Sequence, residues 1–327
     1  MRRAATILGP TLALAACSPQ QSVLHPTGAE AGQISTLFWV MTGGGAVIFA
    51  LVLLLAALAI FGSVGFRRRL AGEGVVKWLG IALPVTVLTV LLVYGFLILR
   101  AGGAVGGGEP TMRIAISGEQ WWWRVTYQLP DGQRIESANE IHLPVGETVA
   151  LELTTADVIH SFWAPRLAGK LDMIPGRTNV LTVTATEPGI TRGQCAEYCG
   201  GAHAFMSFHV VAHEKEDFSA WLEAEAEPAQ DPVNERGLNG QRLFSANGCG
   251  GCHSVRGTGA DGTIGPDLTH VGGRHSLAAA TLPNSAEAIA RFIVNNQHIK
   301  PENRMPEYAT FSETELADLA LYLEGLR

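Results

Sequence analysis

The sequence predicts a multidomain membrane protein in three folded parts: a two-helix transmembrane hairpin, a β-sandwich and a small all-α domain. Three observations carry this prediction. Nearly all the long apolar runs of the 327-residue chain fall in residues 37–66 and 75–99. From Met112 the pattern changes to short Val-, Ile-, Thr- and Trp-rich segments separated by turn signals, which suits a sandwich or barrel. From Arg236 onward the character is helical.

The N-terminus comes first. Arg2 and Arg3 precede a short apolar stretch, Ile7 to Ala16, that ends at Leu14-Ala-Ala-Cys17. This is the plan of a secretory signal peptide. The Leu-Ala-Ala-Cys ending resembles a bacterial lipoprotein cleavage box, so residues 1–16 are expected to be removed and Cys17 to be lipidated. Residues 17–107 then form the hairpin, with spans at about 37–63 and 76–99. Each exceeds the ~20 residues that cross a bilayer core. Arg67-Arg68-Arg69, with Lys77 close behind, marks the connector as cytoplasmic. Both flanking regions are therefore expected on the periplasmic or extracellular side of a bacterial cell (inner) membrane.

Arg100 to Gly108 reads as a flexible linker. Residues 108–222 are expected to form the sandwich, with strands at Met112–Ile116, Trp121–Tyr127, Glu140–Leu143, Thr148–Thr154 and Asn179–Thr184, paired antiparallel. Pro130-Asp-Gly132, Pro144-Val-Gly146 and Pro188-Gly189 supply turns. Residues 223–235 read as an interdomain linker: a short acidic helix, Phe218 to Glu227, runs into Pro228-Ala-Gln-Asp-Pro232. Residues 236–327 carry helices at Asn239–Asn247, Ala286–Asn295 and Glu313–Leu326, the last opened by a Ser312/Glu315 capping box.

Charge divides along the chain. Residues 1–107 hold 7 basic and 2 acidic side chains, residues 108–235 hold 8 and 19, and residues 236–327 hold 8 and 9. An acidic exported domain argues against nucleic acid as a partner and can steer a basic protein by long-range attraction.

The chemistry concentrates in two runs. Cys195-Ala-Glu-Tyr-Cys-Gly-Gly-Ala-His-Ala-Phe-Met206 places two thiols, an imidazole and a thioether in one loop, and His160 lies 35 residues upstream of Cys195. Soft thiolates with imidazole and a weak thioether suit a copper electron-transfer centre. A mononuclear blue-copper site needs one Cys; the second favours two bridged metal ions, with the Glu197 carbonyl as a candidate weak ligand. A Cys2His2 zinc site is the alternative, and a Cys195–Cys199 disulfide is the competing state in an exported compartment. Cys249-Gly-Gly-Cys-His253 is the attachment motif for c-type haem, with His253 as proximal ligand. The five cysteines are thereby allotted to lipidation, copper and haem, with none left for a structural disulfide. A domain this small has a limited core, to which a bound macrocycle would add much apolar area.

Gln120-Trp-Trp-Trp123, Asp157-Val-Ile-His-Ser-Phe162, Lys170-Leu-Asp-Met-Ile-Pro-Gly-Arg177 and the Gly193 to Met206 run resemble subunit II of haem–copper cytochrome c oxidase. The fused haem domain resembles the caa-type branch of that family. The resemblance extends from about Gln33 to Arg327 and implies a cupredoxin-like sandwich and a class I cytochrome c domain. It further implies that His160, Cys195, Glu197 (through its carbonyl), Cys199, His203 and Met206 hold the dinuclear copper centre called CuA. The Glu197 side chain would face a magnesium site shared with the catalytic subunit. Trp121 would be the electron-entry residue, with Asp157 near the docking surface; Trp122 and Trp123 are expected to pack within their strand. Gly265-Pro-Asp-Leu-Thr269 resembles the segment of small c-type cytochromes whose Pro carbonyl orients the proximal His. Asn303-Arg-Met-Pro306 resembles their distal loop, with Met305 as sixth ligand and His298 or His270 as alternatives. His25, His142, His209, His213 and His275 are expected to be surface or strand residues. The family often has an acidic residue shortly before the second span, at the mouth of a proton pathway; one departure from that pattern is the stretch from Glu73 to Pro84, whose Trp-to-Pro spacing differs.

The function implied is the electron-input subunit of a terminal cytochrome c oxidase, a proton-translocating oxidoreductase whose oxygen-reducing site is on another subunit. Its expected partners are the catalytic haem–copper subunit I, other oxidase subunits, membrane lipid, and an exported cytochrome c or other donor. The alternatives are a free-standing copper/haem electron-transfer lipoprotein, or the input subunit of another CuA-containing reductase. A quinol-oxidase subunit would lack the copper ligands.

Overall fold

The computed structural model describes residues 19–102, 109–129 and 131–327. The signal peptide and Cys17 lie outside the described residues. Among the described residues, two helices are long and apolar enough to cross a membrane: α1 (Ala29–Phe61), and a continuous helix over Glu73–Arg100. Between them α2 (Val64–Leu70) carries Arg67, Arg68 and Arg69. The second span begins as α3 (Glu73–Lys77), widens into a π-helical turn over Trp78–Ala82, and continues as α4 (Leu83–Gly102). The wide turn precedes Pro84, which has no N–H to donate and crowds the carbonyl four residues back. Glu73 forms an exposed ion pair with Lys77 at 2.7 Å.

α1 starts about two turns earlier than its apolar run predicts, and the reason is tertiary. At 1.5 Å per residue, 33 residues reach about 50 Å, well beyond a ~30 Å hydrocarbon core. The extra length docks on the sandwich. The Thr27 and Gly28 N–H groups both donate to the Arg166 carbonyl, and Ala31 N–H donates to Leu167 O. Arg166 Nε in turn donates to His25 O at 2.6 Å. The hairpin is thus joined to the outer domain by contacts as well as by sequence.

The sandwich holds ten strands: β1 (Met112–Glu119), β2 (Trp122–Gln128), β3 (Arg134–Ala138), β4 (Glu140–Pro144), β5 (Thr148–Thr155), β6 (His160–Trp163), β7 (Leu171–Met173), β8 (Asn179–Thr184), β9 (Gly189–Cys195) and β10 (Ser207–His213). One sheet has the order β3-β2-β1-β5-β8 and the other β4-β10-β9-β6-β7. This is the cupredoxin-like architecture. The expected all-antiparallel pairing is corrected: β1 runs parallel to β5, and β4 runs parallel to β10. A chain that leaves one sheet for the other returns beside an earlier strand in the same direction, and local turn signals do not encode that return. Trp123, Phe162 and Phe208 fill the space between the sheets, with ring centroids 4.6 to 6.0 Å apart. α5 (Lys215–Ala226) closes the sandwich by stacking Trp221 on His142 at 3.8 Å, so His142 is a buried strand residue.

The helical domain consists of α6 (Glu235–Ala246), α7 (Ala286–Ile299) and α8 (Glu313–Gly325). Two small ribbons join them: β11 (Ser254–Val255) with β12 (Ala260–Asp261), and β13 (Ser276–Leu277) with β14 (Leu282–Pro283). α6 is tied to α8 through Asp318, which accepts from Arg236 and Asn239 at 2.6 and 2.9 Å. The Ser312/Glu315 capping box opens α8. Residues 223–226 form the last turn of α5, within the acidic helix expected over Phe218–Glu227. The following segment lies against the helical domain: Ala229 N–H donates to Arg256 O, and His270 donates to Glu227 O. The two outer domains touch directly. Arg124 donates to Thr263 O at 2.7 Å, Arg256 donates to Glu136 O at 3.1 Å, and the His275 N–H donates to buried Glu140 at 2.6 Å.

Candidate metal and haem centres

Three parts of the sandwich converge at one end: the start of β6, the end of β9, and the loop that runs from Cys195 to β10. The pairing Phe162↔Cys195 between β6 and β9 brings His160 to the cysteine loop despite 35 residues of separation. Gly118 on the neighbouring sheet permits the fit, because a Cβ there would lie 2.8 Å from the His160 ring.

The two sulfurs, Cys195 Sγ and Cys199 Sγ, stand 3.8 Å apart and form no disulfide. His160 Nδ1 lies 3.8 Å from Cys195 Sγ, and His203 Nδ1 lies 3.5 Å from Cys199 Sγ. The Glu197 carbonyl oxygen is 3.2 Å from Cys195 Sγ, and Met206 Sδ is 3.8 Å from Cys199 Sγ. All six sequence-predicted donors are therefore gathered around one sulfur pair. Ligand atoms of His160, Cys195 and Cys199, all buried, fall within 4.8 Å of one another. The set fits copper: soft sulfur, imidazole and weak neutral donors are the combination that copper electron-transfer sites use. A Cys2His2 zinc site would leave the carbonyl and the thioether without a role.

Electrostatics favours an anionic sulfur. The Cys199 thiol and then His160 hydrogen-bond Cys195 and bring its pKa to about 4, against burial. The same proton shared between the sulfurs pushes Cys199 up, and burial adds to it. Burial disfavours a charged His160, but its bonds to Cys195 and to Asp157 Oδ1, at 2.9 Å, outweigh that and raise it. Asp157 also accepts from the Gln120 N–H at 2.8 Å, and these bonds hold its carboxyl below the ordinary range despite burial. A carboxylate behind a ligating imidazole fixes the ring and raises its basicity.

Trp121 is 5% exposed, and its indole N–H donates to the Cys199 carbonyl at 3.0 Å. Gln120 Nε2 donates to the same oxygen at 2.8 Å. Gln120 received no role from the sequence, although it opens the Gln-Trp-Trp-Trp run; its signal was its place in that motif. Trp123 is a core residue as expected. Trp122 differs from expectation: it carries Arg124 over its ring at 4.7 Å and lines a cavity shared with the helical domain. The Glu197 side chain is exposed and accepts from Tyr198 N–H, and Tyr198 is 75% exposed beside it.

The shared cavity is about 310 Å³, within the ~300–1,000 Å³ span of cofactor pockets. Its wall includes Cys249, Cys252, His253 and Met305 from the helical domain, and Gln120, Trp121, Trp122 and Asp157 from the sandwich. His298 and His270 are not part of that wall. His253 Nδ1 lies 2.8 Å from the Pro266 carbonyl, which takes the Nδ1 proton and leaves Nε2 free as a ligand. Burial lowers the His253 pKa and keeps the ring neutral. Gly265 lets the segment pass, since a Cβ there would lie 2.5 Å from the His253 ring. Both thiols are free. Two thiols, an oriented imidazole and a thioether on one apolar cavity fit covalent haem with His/Met ligation.

Comparison with known proteins assigns both domains that carry these residues. Residues 128–213 match the family described as cytochrome c oxidase subunit II, periplasmic domain, and residues 238–327 match the cytochrome c family. The cytochrome c oxidase subunit 2 of Alkalihalophilus pseudofirmus is 38% identical over 220 residues, covering 67% of this chain and 63% of that protein. That of Bacillus sp. PS3 is 29% identical over 259 residues, covering 75% and 70%. The chain thus spans about two thirds of the length of these relatives. Among solved structures, the periplasmic domain of cytochrome oxidase subunit II from Bradyrhizobium japonicum shares 33% identity at a TM-score of 0.34, covering 36% of this chain and 95% of that one. The chain therefore carries a domain of the cytochrome c oxidase subunit II family joined to a cytochrome c domain, behind two helices long and apolar enough to cross a membrane.

Proposed function

We propose that this chain is the electron-input subunit of a terminal oxidase in a bacterial cell membrane, taking electrons at haem c and passing them through a dinuclear copper centre to a separate haem–copper subunit that reduces oxygen to water. His160, Cys195, Cys199, His203, Met206 and the Glu197 carbonyl would hold the two coppers; Cys249, Cys252, His253 and Met305 would hold the haem. Copper bound by these residues would supply one-electron chemistry.

The observation that carries this reading is Trp121. Its ring forms part of the haem cavity wall while its N–H holds the carbonyl of Cys199. One buried side chain therefore spans the distance between the two sites. Asp157 and Pro266 do matching work on either side, each fixing one imidazole. Burial of the sulfurs keeps water from them and limits reorganisation. The exposed Glu197 carboxylate, with Tyr198, is offered outward to the catalytic subunit, where a magnesium ion would sit. The lipidated Cys17 and the proton-translocating role of the assembled enzyme belong to the same proposal, as does an exported cytochrome c as donor.

The test is direct. The purified full chain should hold two coppers and one covalent haem, with a mixed-valence EPR signal delocalised over both coppers. One copper with a simple four-line spectrum would overturn the dinuclear assignment. In Trp121→Phe, which keeps an aromatic ring but is smaller and lacks the indole N–H, reduction of haem by an external donor should be unchanged while internal transfer slows at least ~10-fold, about 1.4 kcal/mol in barrier. An unchanged internal rate in stopped flow would leave Trp121 a packing residue.

A further inference from the structure

The ribbon β13–β14 ends in the loop 278–281, and this loop has an unusual backbone. Ala278, Ala279 and Ala280 have φ of 53°, 61° and 56°. L-residues visit this left-handed region singly and at a cost, so three in succession need support from outside the loop. The support is visible at each carbonyl. Lys300 Nζ donates to Ala278 O at 3.0 Å. The Ser207 N–H donates to Ala279 O at 3.2 Å. Arg192 Nη2 donates to Ala280 O at 3.3 Å and to Ser207 Oγ at 3.0 Å. Thr281 Oγ1 donates to Phe205 O at 3.3 Å. Ala279 is 1% exposed, so the tip of the loop is sealed against the sandwich.

The two backbone positions gripped from the helical domain are 205 and 207, on either side of Met206. Met206 is 1% exposed, and its sulfur stands 3.8 Å from Cys199 Sγ. Within the sandwich its own backbone is tied too: Met206 O accepts from Cys195 N–H at 2.9 Å. A thioether is a weak ligand whose distance is set by the chain that carries it, and axial ligation tunes a copper site. We propose that the left-handed loop 278–281 is a positioning element for Met206, so that docking of the haem domain fixes the thioether side of the copper centre. This rests on the dinuclear copper reading. The haem domain then does more than carry a donor: while docked, it holds one ligand of the acceptor in place.

Two substitutions in the full chain test this, each read in two ways. Ala279→Pro cannot adopt positive φ and opens the loop; Thr281→Val removes only the bond to Phe205 O. The first readout is hydrogen exchange at the Ser207 amide, which does not depend on metal. The second is the EPR and visible spectrum of the copper-loaded protein, with the haem spectrum as a check that the helical domain is folded. The expected result is at least 10-fold faster exchange at Ser207 in Ala279→Pro, with altered copper hyperfine splitting. Thr281→Val should give the same changes in smaller size, and it decides the matter if Ala279→Pro fails to hold haem. Faster exchange with an unchanged copper spectrum would overturn the proposal, and so would unchanged exchange in both variants. A parent protein that binds fewer than two coppers would instead count against the copper reading, while the exchange result would still show whether the loop grips the chain.

Discussion

In the sandwich, the six donor atoms already stand within 3.8 Å of a neighbouring donor on the sulfur pair, on two strands and the loop after them, beside a core of Trp123, Phe162 and Phe208. In the helical domain, Cys249, Cys252, His253 and Met305 surround a cavity of about 310 Å³. Among the described residues the sandwich core gathers 25 buried apolar side chains and the helical core 10. The contrast separates two ways of making a redox site. A sheet scaffold builds the ligand geometry from its own core, so the metal is added to a finished fold. A small helical scaffold leaves an apolar cavity on the side that meets the sandwich, so the cofactor would complete its core.

The strongest attempt to break this comparison is to remove the anchors of each site. In Cys249→Ala/Cys252→Ala the helical domain should lose its cooperative melting transition and become protease-sensitive, while the sandwich transition stays within a few degrees. Cys199→Ser should do the reverse: the delocalised copper signal disappears, yet the melting of the sandwich hardly changes. Circular dichroism melts and limited proteolysis read both. A sandwich that unfolds in Cys199→Ser would mean that the copper site is not prebuilt.

A smaller effect tests the sandwich from within. Trp123 is fully buried against Phe162 and Phe208. Trp123→Ala should cost about 3–5 kcal/mol by denaturant unfolding. The copper spectrum should be disturbed as well, since the Trp123 and His160 rings are 6.3 Å apart. Full stability in this variant would show that the donors are not held by the core.

The smallest effect sharpens the view of the helical domain. Glu315 accepts from the Ser312 N–H and hydroxyl, and these bonds hold its pKa below the ordinary Glu value. A carboxylate with a depressed folded pKa contributes its stability above the unfolded value, near 4.5, and loses it as pH falls through the folded value. Ser312→Ala should therefore lower the melting temperature of this domain by a few degrees at neutral pH, with the gap from the parent narrowing in acid to the share of the Glu315 N–H bond to Ser312 Oγ. A gap that persists unchanged at pH 3 would exclude the Glu315 carboxylate as a contributor.

Much of the site was legible because it is local. Five of the six copper donors fall within the 12 residues from Cys195 to Met206, and three haem anchors fall within five. Ligand types at short spacing in one loop imply a shared target whatever the surrounding fold. The helix opened by Ser312 was legible for the same reason, since a cap and its partner are three residues apart. Asp157 and Gln120 could be seen only as motif members. The Gln120 bond to the Cys199 carbonyl joins segments 79 residues apart, which spacing along the chain does not report; Asp157 lies only three residues before His160, but the turn of its carboxylate onto that ring is set by the fold.

The sequence alone determined the three-part plan, the two apolar spans with arginines between them, the copper donor types and the haem motif. These depend on composition, period and short-range spacing. Tertiary structure decided the parallel pairings β1–β5 and β4–β10 and the docking of α1 on the loop at Arg166. It also placed Trp121 between the cavity and Cys199, and it held the left-handed loop 278–281 against both sides of Met206. Each of these is a contact between segments far apart in sequence. Each is settled by which surfaces can be buried together with their backbone hydrogen bonds satisfied, and that condition exists only once the chain has folded.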